Sequence, residues 1–276
     1  MPSVLVTGAG RGIGRSIAEH LANQGWDVIA GVRTQLDADA ITATNPQRIS
    51  AVLLDVTDDA QLDQLEATLP ARLDAVVNNA GVVVAGPMEA VSTADWRKQL
   101  DVNVIGQLAV TRAVLPRLRR SRGRVVFISS INGQLAFPMM GAYCASKFAL
   151  EAAAEALRME LRPWGISVVV VEPAQTDTDM WHTAPAMVAE TEAAFSPAHR
   201  ELYARHIAGF KKRIPLSQKM AVAPEKVSAV VERALTTKRP RPRYVVGASP
   251  KVQAALITKL PIAVRDRVLR MVAGQP

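Results

Sequence analysis

Short apolar runs alternate along this chain with stretches in which apolar residues recur every three or four positions. Val4–Thr7 is the first such run and predicts a buried strand; after a glycine-rich turn, Ile13, Ile17, Ala18 and Leu21 form one stripe of a helix. The pattern repeats. Further strands are predicted at Asp27–Val32, Ile49–Leu54, Leu73–Val77, Arg124–Ser129, Ile166–Glu172 and Tyr244–Val246. Helical periodicity falls on a short segment through Leu62 and Leu65, a long one from about Thr93 to Arg119, Ala142 through Leu161, Pro224–Leu235 and Ser249–Val272. Strands that are apolar on both faces and alternate with helices imply a three-layer α/β domain around a parallel sheet.

Two places break the pattern. Asn103 and Gly106 sit inside the long helical stretch, where both residue types are unfavourable, so a local distortion or function is expected there. The segment from Pro173 to Val222 carries Met180, Trp181, Met187, Phe195, Tyr203, Ile207 and Phe210 without a readable period. Long irregular segments inside compact domains usually serve function.

Composition narrows the class. With 276 residues, 49% of them apolar, the chain can bury a sizeable core. The formal charge of +8 is spread over separate clusters, Arg117–Arg124, Lys211–Arg213, Lys238–Arg243 and Arg265–Arg270, which read as solvated faces rather than a nucleic-acid surface. Cys144 is the only cysteine, so neither an internal disulfide nor a CxxC metal site is available, and a reducing compartment is expected. Met1 leads almost directly into a strand, and no apolar run approaches membrane-span length; the expectation is a soluble, cytoplasmic protein with no metal site.

The chemistry starts at the first turn. TGAGRGIG, Thr7–Gly14, joins strand to helix, and its glycines let backbone N–H groups and the helix N-terminus approach a pyrophosphate. The spacing is Gly8-x-x-x-Gly12-x-Gly14, with Ile13 where a stricter GxGxxG pattern needs glycine. Arg33 follows the second strand, where an acid would select a ribose 2′-hydroxyl and a cation a 2′-phosphate; with Arg11 in the turn and no acid before Asp37, NADP(H) is favoured over NAD(H). NNAG, Asn78–Gly81, suits a turn where backbone passes close to a cofactor. Tyr143 and Lys147 share a helix face one turn apart, with Ser130 at the end of the facing strand. A nearby ammonium favours the phenolate, so such a site can handle a proton.

In order and spacing, TGAGRGIG, Asp55, NNAG, Asn103 in NVIG, Ser130 and Tyr143-Cys-Ala-Ser-Lys147 resemble the short-chain dehydrogenase/reductase family, and among its members the retinol- and steroid-dehydrogenase-like ones. The resemblance implies one Rossmann-type doubly wound domain over residues 1–276, with a substrate-loop region at 174–222 and a C-terminal helical extension at 249–276 acting as a lid. It implies Tyr143 as general acid/base, Ser130 orienting the carbonyl, Lys147 binding ribose and lowering the tyrosine pKa, and Asn103 supporting a water-linked proton relay. Gly8, Gly12, Ile13 and Gly14 would surround the pyrophosphate, Asp55 and Val56 the adenine, Asn79, Ala80 and Gly81 the ribose and nicotinamide side, and Thr178 the carboxamide. Pro173-Ala174 stands where the family usually has Pro-Gly, which leaves the backbone path there open.

The resulting expectation is an NADP(H)-dependent oxidoreductase acting on a lipophilic carbonyl or alcohol, steroid-, retinoid- or long-chain-like, held beneath Met180–Phe210 with Met180 and Trp181 against the substrate. Two rivals are a non-catalytic NADP(H)-binding regulator and an isomerase or dehydratase on the same scaffold. Val264, Val268, Leu269, Met271 and Val272 form a helical stripe opposite Arg265, Arg267 and Arg270, which caps the pocket, packs on the core or makes peripheral membrane contact. The small-residue face of Ala149, Ala152, Ala153 and Ala156, with the resemblance, predicts a homodimer or homotetramer.

Overall fold

The structure is a computed structural model that describes residues 1–178, 183–247 and 256–276. Seven strands form one sheet: β1 (Ser3–Thr7), β2 (Asp27–Val32), β3 (Ile49–Leu53), β4 (Ala75–Asn78), β5 (Arg124–Ile128), β6 (Ser167–Pro173) and β7 (Arg243–Val246). Their order is β3-β2-β1-β4-β5-β6-β7, and every pairing is parallel. The order reverses between β1 and β4, so a crevice opens beyond their carboxyl ends, where α/β sheets of this kind take ligands.

The predicted strands are therefore present, each within a residue or two at its ends. Their alternation sorts the core into two layers. Val4 and Val6 face a cluster with α1 (Gly12–Asn23), α2 (Gln35–Thr42) and α10 (Pro224–Thr236), through Ile17, Leu21, Ile41, Val227 and Val231. Leu5 faces the opposite layer, made by α3 (Asp59–Thr68), α5 (Gln107–Ser121) and α6 (Gly141–Glu160), through Leu65, Val114, Leu118 and Leu150. Side chains alternating across the pleat require this division.

Three expectations are corrected. The long helix is two helices, α4 (Thr93–Leu100) and α5, joined by a π-helical stretch at Asp101–Gly106 that contains both Asn103 and Gly106. Gly106 is needed there, because a Cβ would stand 2.7 Å from the Val56 carbonyl oxygen. The unreadable segment is largely helical, with α7 (Ala184–Ala194), α8 (Pro197–Leu202) and α9 (Ala204–Lys219). Prolines open α7 and α8 and lie inside α9, and the apolar residues of these helices face one another rather than the sheet: Phe195 and Ile207 pack with Met139, and Val188 with Ile214. The C-terminal stripe is broken: in α11 (Ile262–Val272) only Leu269 is buried, and Arg265, one turn before it, is half-buried on the same side. Residues 249–255 of the predicted helix, together with Met180 and Trp181, lie outside the described residues.

Candidate active site

The glycine turn leaves β1 with Gly8 at φ +66° and enters α1 with Gly12 at φ +56°, left-handed conformations that cost other residues energy. Gly14 is packed tighter still: a Cβ on it would lie 2.2 Å from the Gly8 carbonyl oxygen and 2.4 Å from Asn79 Nδ2. Arg11 precedes α1 in an extended conformation and its side chain does not cap the helix, so the first-turn amides of α1 remain available to an anion. Thr178 lies 3.5 Å from where a Gly12 Cβ would be, which brings the segment after β6 across the turn. The residues present fit a dinucleotide, since the first-turn amides of α1 lack a side-chain cap and the turn carries no side chains at Gly8, Gly12 and Gly14, which suits an anionic pyrophosphate.

The NNAG turn is pinned from both sides. Asn79 Nδ2 donates to the Thr7 and Gly8 carbonyls at 3.0 and 3.2 Å, and the backbone N–H groups of Asn79 and Ala80 both donate to Thr7 Oγ1 at 3.0 Å. From the helix side, a polar row holds it. Gln99, Asn103, Gln107 and Thr111 recur every four residues and are all buried. Gln107 donates to the Ala80 carbonyl at 2.7 Å, Asn103 to the Val82 carbonyl at 3.0 Å, and Gln99 to the same carbonyl at 2.8 Å. Asn103 and Gln99 in turn accept from Val82 and Val84 N–H, and Asn78 donates to Thr111 Oγ1. Sequence reasoning singled out only Asn103. A run of polar residues at helical spacing where a core stripe belongs was the signal for the other three.

Asn103 Nδ2 also reaches Ser146 Oγ at 3.1 Å, so its described bonds go to Val82 and to α6, and none goes to Tyr143 or Lys147. At the other end of the crevice, Asp55 accepts from the Thr57 amide and hydroxyl; burial opposes ionisation, but these bonds and the field of Arg33 hold its carboxyl below the usual range. The Val56 side chain is buried under the π-helical stretch, which leaves only its backbone for a ligand. Arg11 and Arg33 are exposed. Asp37, passed over in the sequence as too far along, packs against Gly10 with its carboxyl carbon 2.9 Å from a Cβ there, and accepts from Thr34 Oγ1 at 2.7 Å.

Ser130, Tyr143 and Lys147 do come together. Ser130 lies just past β5, where it accepts from the Asn132 amide, and its hydroxyl is near enough to the Tyr143 phenol to favour the phenol's ionisation. Its own hydroxyl lies 3.5 Å from the carbonyl of Pro173, the last residue of β6. Ala174 follows without a positive φ, so this path needs no glycine. Lys147 is almost wholly buried; its ammonium donates to the Ile128 carbonyl at 2.8 Å and stands 5.8 Å from the centre of the Tyr143 ring. Burial lowers the Lys147 pKa to about 8, against the opposing charge of Glu151. Desolvation by burial pushes the Tyr143 phenol up to about 12, with the Ser130 hydroxyl opposing it, so the phenol holds its proton at neutral pH.

A protonated phenol and a serine hydroxyl converging beside a dinucleotide-shaped turn can together donate to one carbonyl oxygen. Known proteins carry the same architecture. The chain is 33% identical to mouse retinol dehydrogenase 5 over 99% of its own length and 89% of that protein. A short-chain dehydrogenase from Streptomyces avermitilis superposes with a TM-score of 0.78 at 32% identity, covering 97% of this chain and 94% of the other. Another from Burkholderia cenocepacia J2315, solved in complex with NADP, gives 0.76 at 26% identity over 97% of both. The family model described as short chain dehydrogenase matches residues 2–189, and the chain belongs to this family of oxidoreductases.

Proposed function

We propose that the protein transfers a hydride between NADP(H) and a lipophilic carbonyl or alcohol, with Ser130, Tyr143 and Lys147 as its acid/base apparatus. The observation that carries this reading is the convergence of Ser130, Tyr143 and Lys147, with the buried ammonium 5.8 Å from the centre of the Tyr143 ring and the Ser130 hydroxyl beside the phenol. The nicotinamide supplies the hydride; the protein supplies orientation and a proton. Ser130 and Tyr143 hold the substrate oxygen, and Tyr143, protonated at neutral pH, gives its proton to that oxygen as carbonyl reduction proceeds. Lys147 holds the ribose, and the amides of the glycine turn hold the pyrophosphate.

NADP(H) is preferred because Arg11 and Arg33 are exposed cations flanking the crevice, and a charge-assisted contact to a 2′-phosphate contributes about 1.5–3 kcal/mol. Asp37 is already engaged by Thr34, which weakens it as an acceptor for an NAD(H) ribose. The Burkholderia relative's NADP agrees with this preference.

A lipophilic substrate is supported by the apolar lining of a small recess, about 10 Å³ in volume, formed by Met139, Val188, Phe195, Ile207 and Phe210. Pockets for ligands of that class span roughly 300–1,000 Å³, so in this reading α7–α9 part to admit one and act as a lid. The same reading includes self-association through α6 and peripheral contact with an anionic membrane through α11, where Ile262, Val264 and Met271 are exposed among Arg267 and Arg270. Among the described residues no helix is long and apolar enough to cross a membrane.

The test is oxidation of NADPH and NADH with a homologous series of methyl ketones. Efficiency should rise about fourfold per methylene, as about 0.8 kcal/mol per buried CH₂ requires, and NADPH should be the better donor. Tyr143→Phe should lower turnover by roughly 10²–10⁴-fold with NADPH binding retained. No turnover with any carbonyl despite tight NADPH binding would instead favour a regulator.

A further inference from the structure

Behind Lys147, away from the crevice, lies a second group of charges that the proposed reaction does not use. Glu151 follows Lys147 by one turn on α6, and Glu172 projects from β6; their side chains are 6% and 0% exposed. Arg243, from the edge strand β7, reaches both. Its Nη2 donates to Glu151 Oε2 at 2.6 Å and to the exposed Glu155 at 3.2 Å, while its Nε stands 2.6 Å from Glu172 Oε1. Gln134 donates to the other Glu172 oxygen. Gly133 closes the space above, so near that a Cβ on it would lie 2.9 Å from both Glu151 Cγ and Ser129 Oγ. Glu151 Oε1, Glu172 Oε1 and Ser129 Oγ are left without an aligned hydrogen-bond partner.

Two buried carboxylates on one guanidinium are costly if both are ionised. Lys147 presents the complementary difficulty: a buried ammonium whose described hydrogen bond goes to a neutral carbonyl. On its own helix Lys147 is flanked by Tyr143, Cys144 and Glu151. The strand layer adds Glu172 with Arg243 behind it, β5 adds Arg124, which donates to the Ala234 carbonyl on α10, the turn after β5 adds no titratable group, and the π-helical stretch and α4 add Asp101, Asp95, Arg97 and Lys98. Of these, Glu151 is the acid whose field reaches Lys147.

We propose that Glu151, braced by Arg243, is a positioning residue that keeps the Lys147 ammonium charged, and that Glu172 beside it holds a proton so that a single negative charge is presented to the lysine. Burial and the neighbouring Glu151 both push the Glu172 carboxyl toward its protonated form, which agrees with where that proton would reside. The proposal builds on the acid/base reading of Lys147, yet it is tested without turnover.

Lysine-selective ¹³C labelling of the full chain, with Lys147→Arg to assign the signal, gives the Lys147 titration midpoint by NMR. In the wild type it should lie near 8. Glu151→Gln should move it down by about one pH unit. Glu172→Gln should leave it in place or raise it, since the Glu151 carboxylate and its Arg243 brace remain. Arg243→Met should lower it by releasing Glu151 from its place beside Lys147, and Arg243→Lys should partly restore it. Simple loosening of the packing would hydrate Lys147 and move its midpoint the other way, toward that of an exposed lysine, so the sign separates the two explanations. If Glu151→Gln does not fold, the Arg243 pair decides. An unchanged midpoint in Glu151→Gln, a rise in Arg243→Met, or a fall in Glu172→Gln overturns the proposal. Failure to reduce any carbonyl, with these shifts intact, counts against the proposed reaction alone.

Discussion

Tyr143 and Lys147 share a helix face and a cause, yet burial displaces them in opposite directions: the phenol rises to about 12 and the ammonium falls to about 8. Each shift disfavours the charged form of its own group. Between them lies the working range of the proposed reaction, with Tyr143 holding its proton and Lys147 losing its own as pH climbs. A base with a depressed pKa is charged below that value and neutral above it. kcat/KM for NADPH in carbonyl reduction should therefore be level at pH 6–7 and fall as pH rises through about 8, well before Tyr143 ionises. Steady-state profiles at saturating ketone check this; a plateau extending to pH 10 would detach Lys147 from cofactor binding. The spacing of Tyr143 and Lys147 was legible in the sequence, whereas the burial around them was not, because no residue type reports it.

Elements were legible where burial on two faces forced a simple pattern. β1, β2, β5 and β6 read as apolar runs because helices cover both sides of the sheet. α7–α9 did not, since their apolar residues meet only a small local cluster and prolines interrupt the period. Gln99 and Gln107 were equally hidden: a glutamine that ties down a loop looks like one facing water until its surroundings are known. The glycine turn was legible as a turn because its constraint is geometric. Gly14 has no room for a Cβ, so Gly14→Ala must displace either the Gly8 carbonyl or the Asn79 amide. It should destabilise the fold by about 1–3 kcal/mol in denaturant titrations and weaken NADPH binding at least tenfold by calorimetry. Wild-type affinity in that variant would show that the turn does not carry the pyrophosphate.

At the scale of the whole molecule, α6 joins the site to an outer face. Ala149, Ala152 and Ala156 are exposed beside Phe148, and Ile105 of the π-helical stretch is exposed as well. Small residues let a second helix approach closely, and large apolar ones reward its doing so. Light scattering at micromolar concentration should give a dimer or tetramer, and Ala152→Arg should yield a monomer; a wild-type monomer would dismiss this interface. The row from Gln99 to Thr111 bears on a different matter, the lengths of chain that descendants of this sequence can adopt. One residue inserted between Gln99 and Gln107 would turn the helix beyond it by about 100° relative to the part before it. Hydrogen bonds to Ala80, Val82 and Val84 could not then form together, whereas extra residues between Val84 and Ser92 would leave them untouched. Variation in length is accordingly channelled into the loop ahead of α4, and the helix that reads the crevice keeps its count.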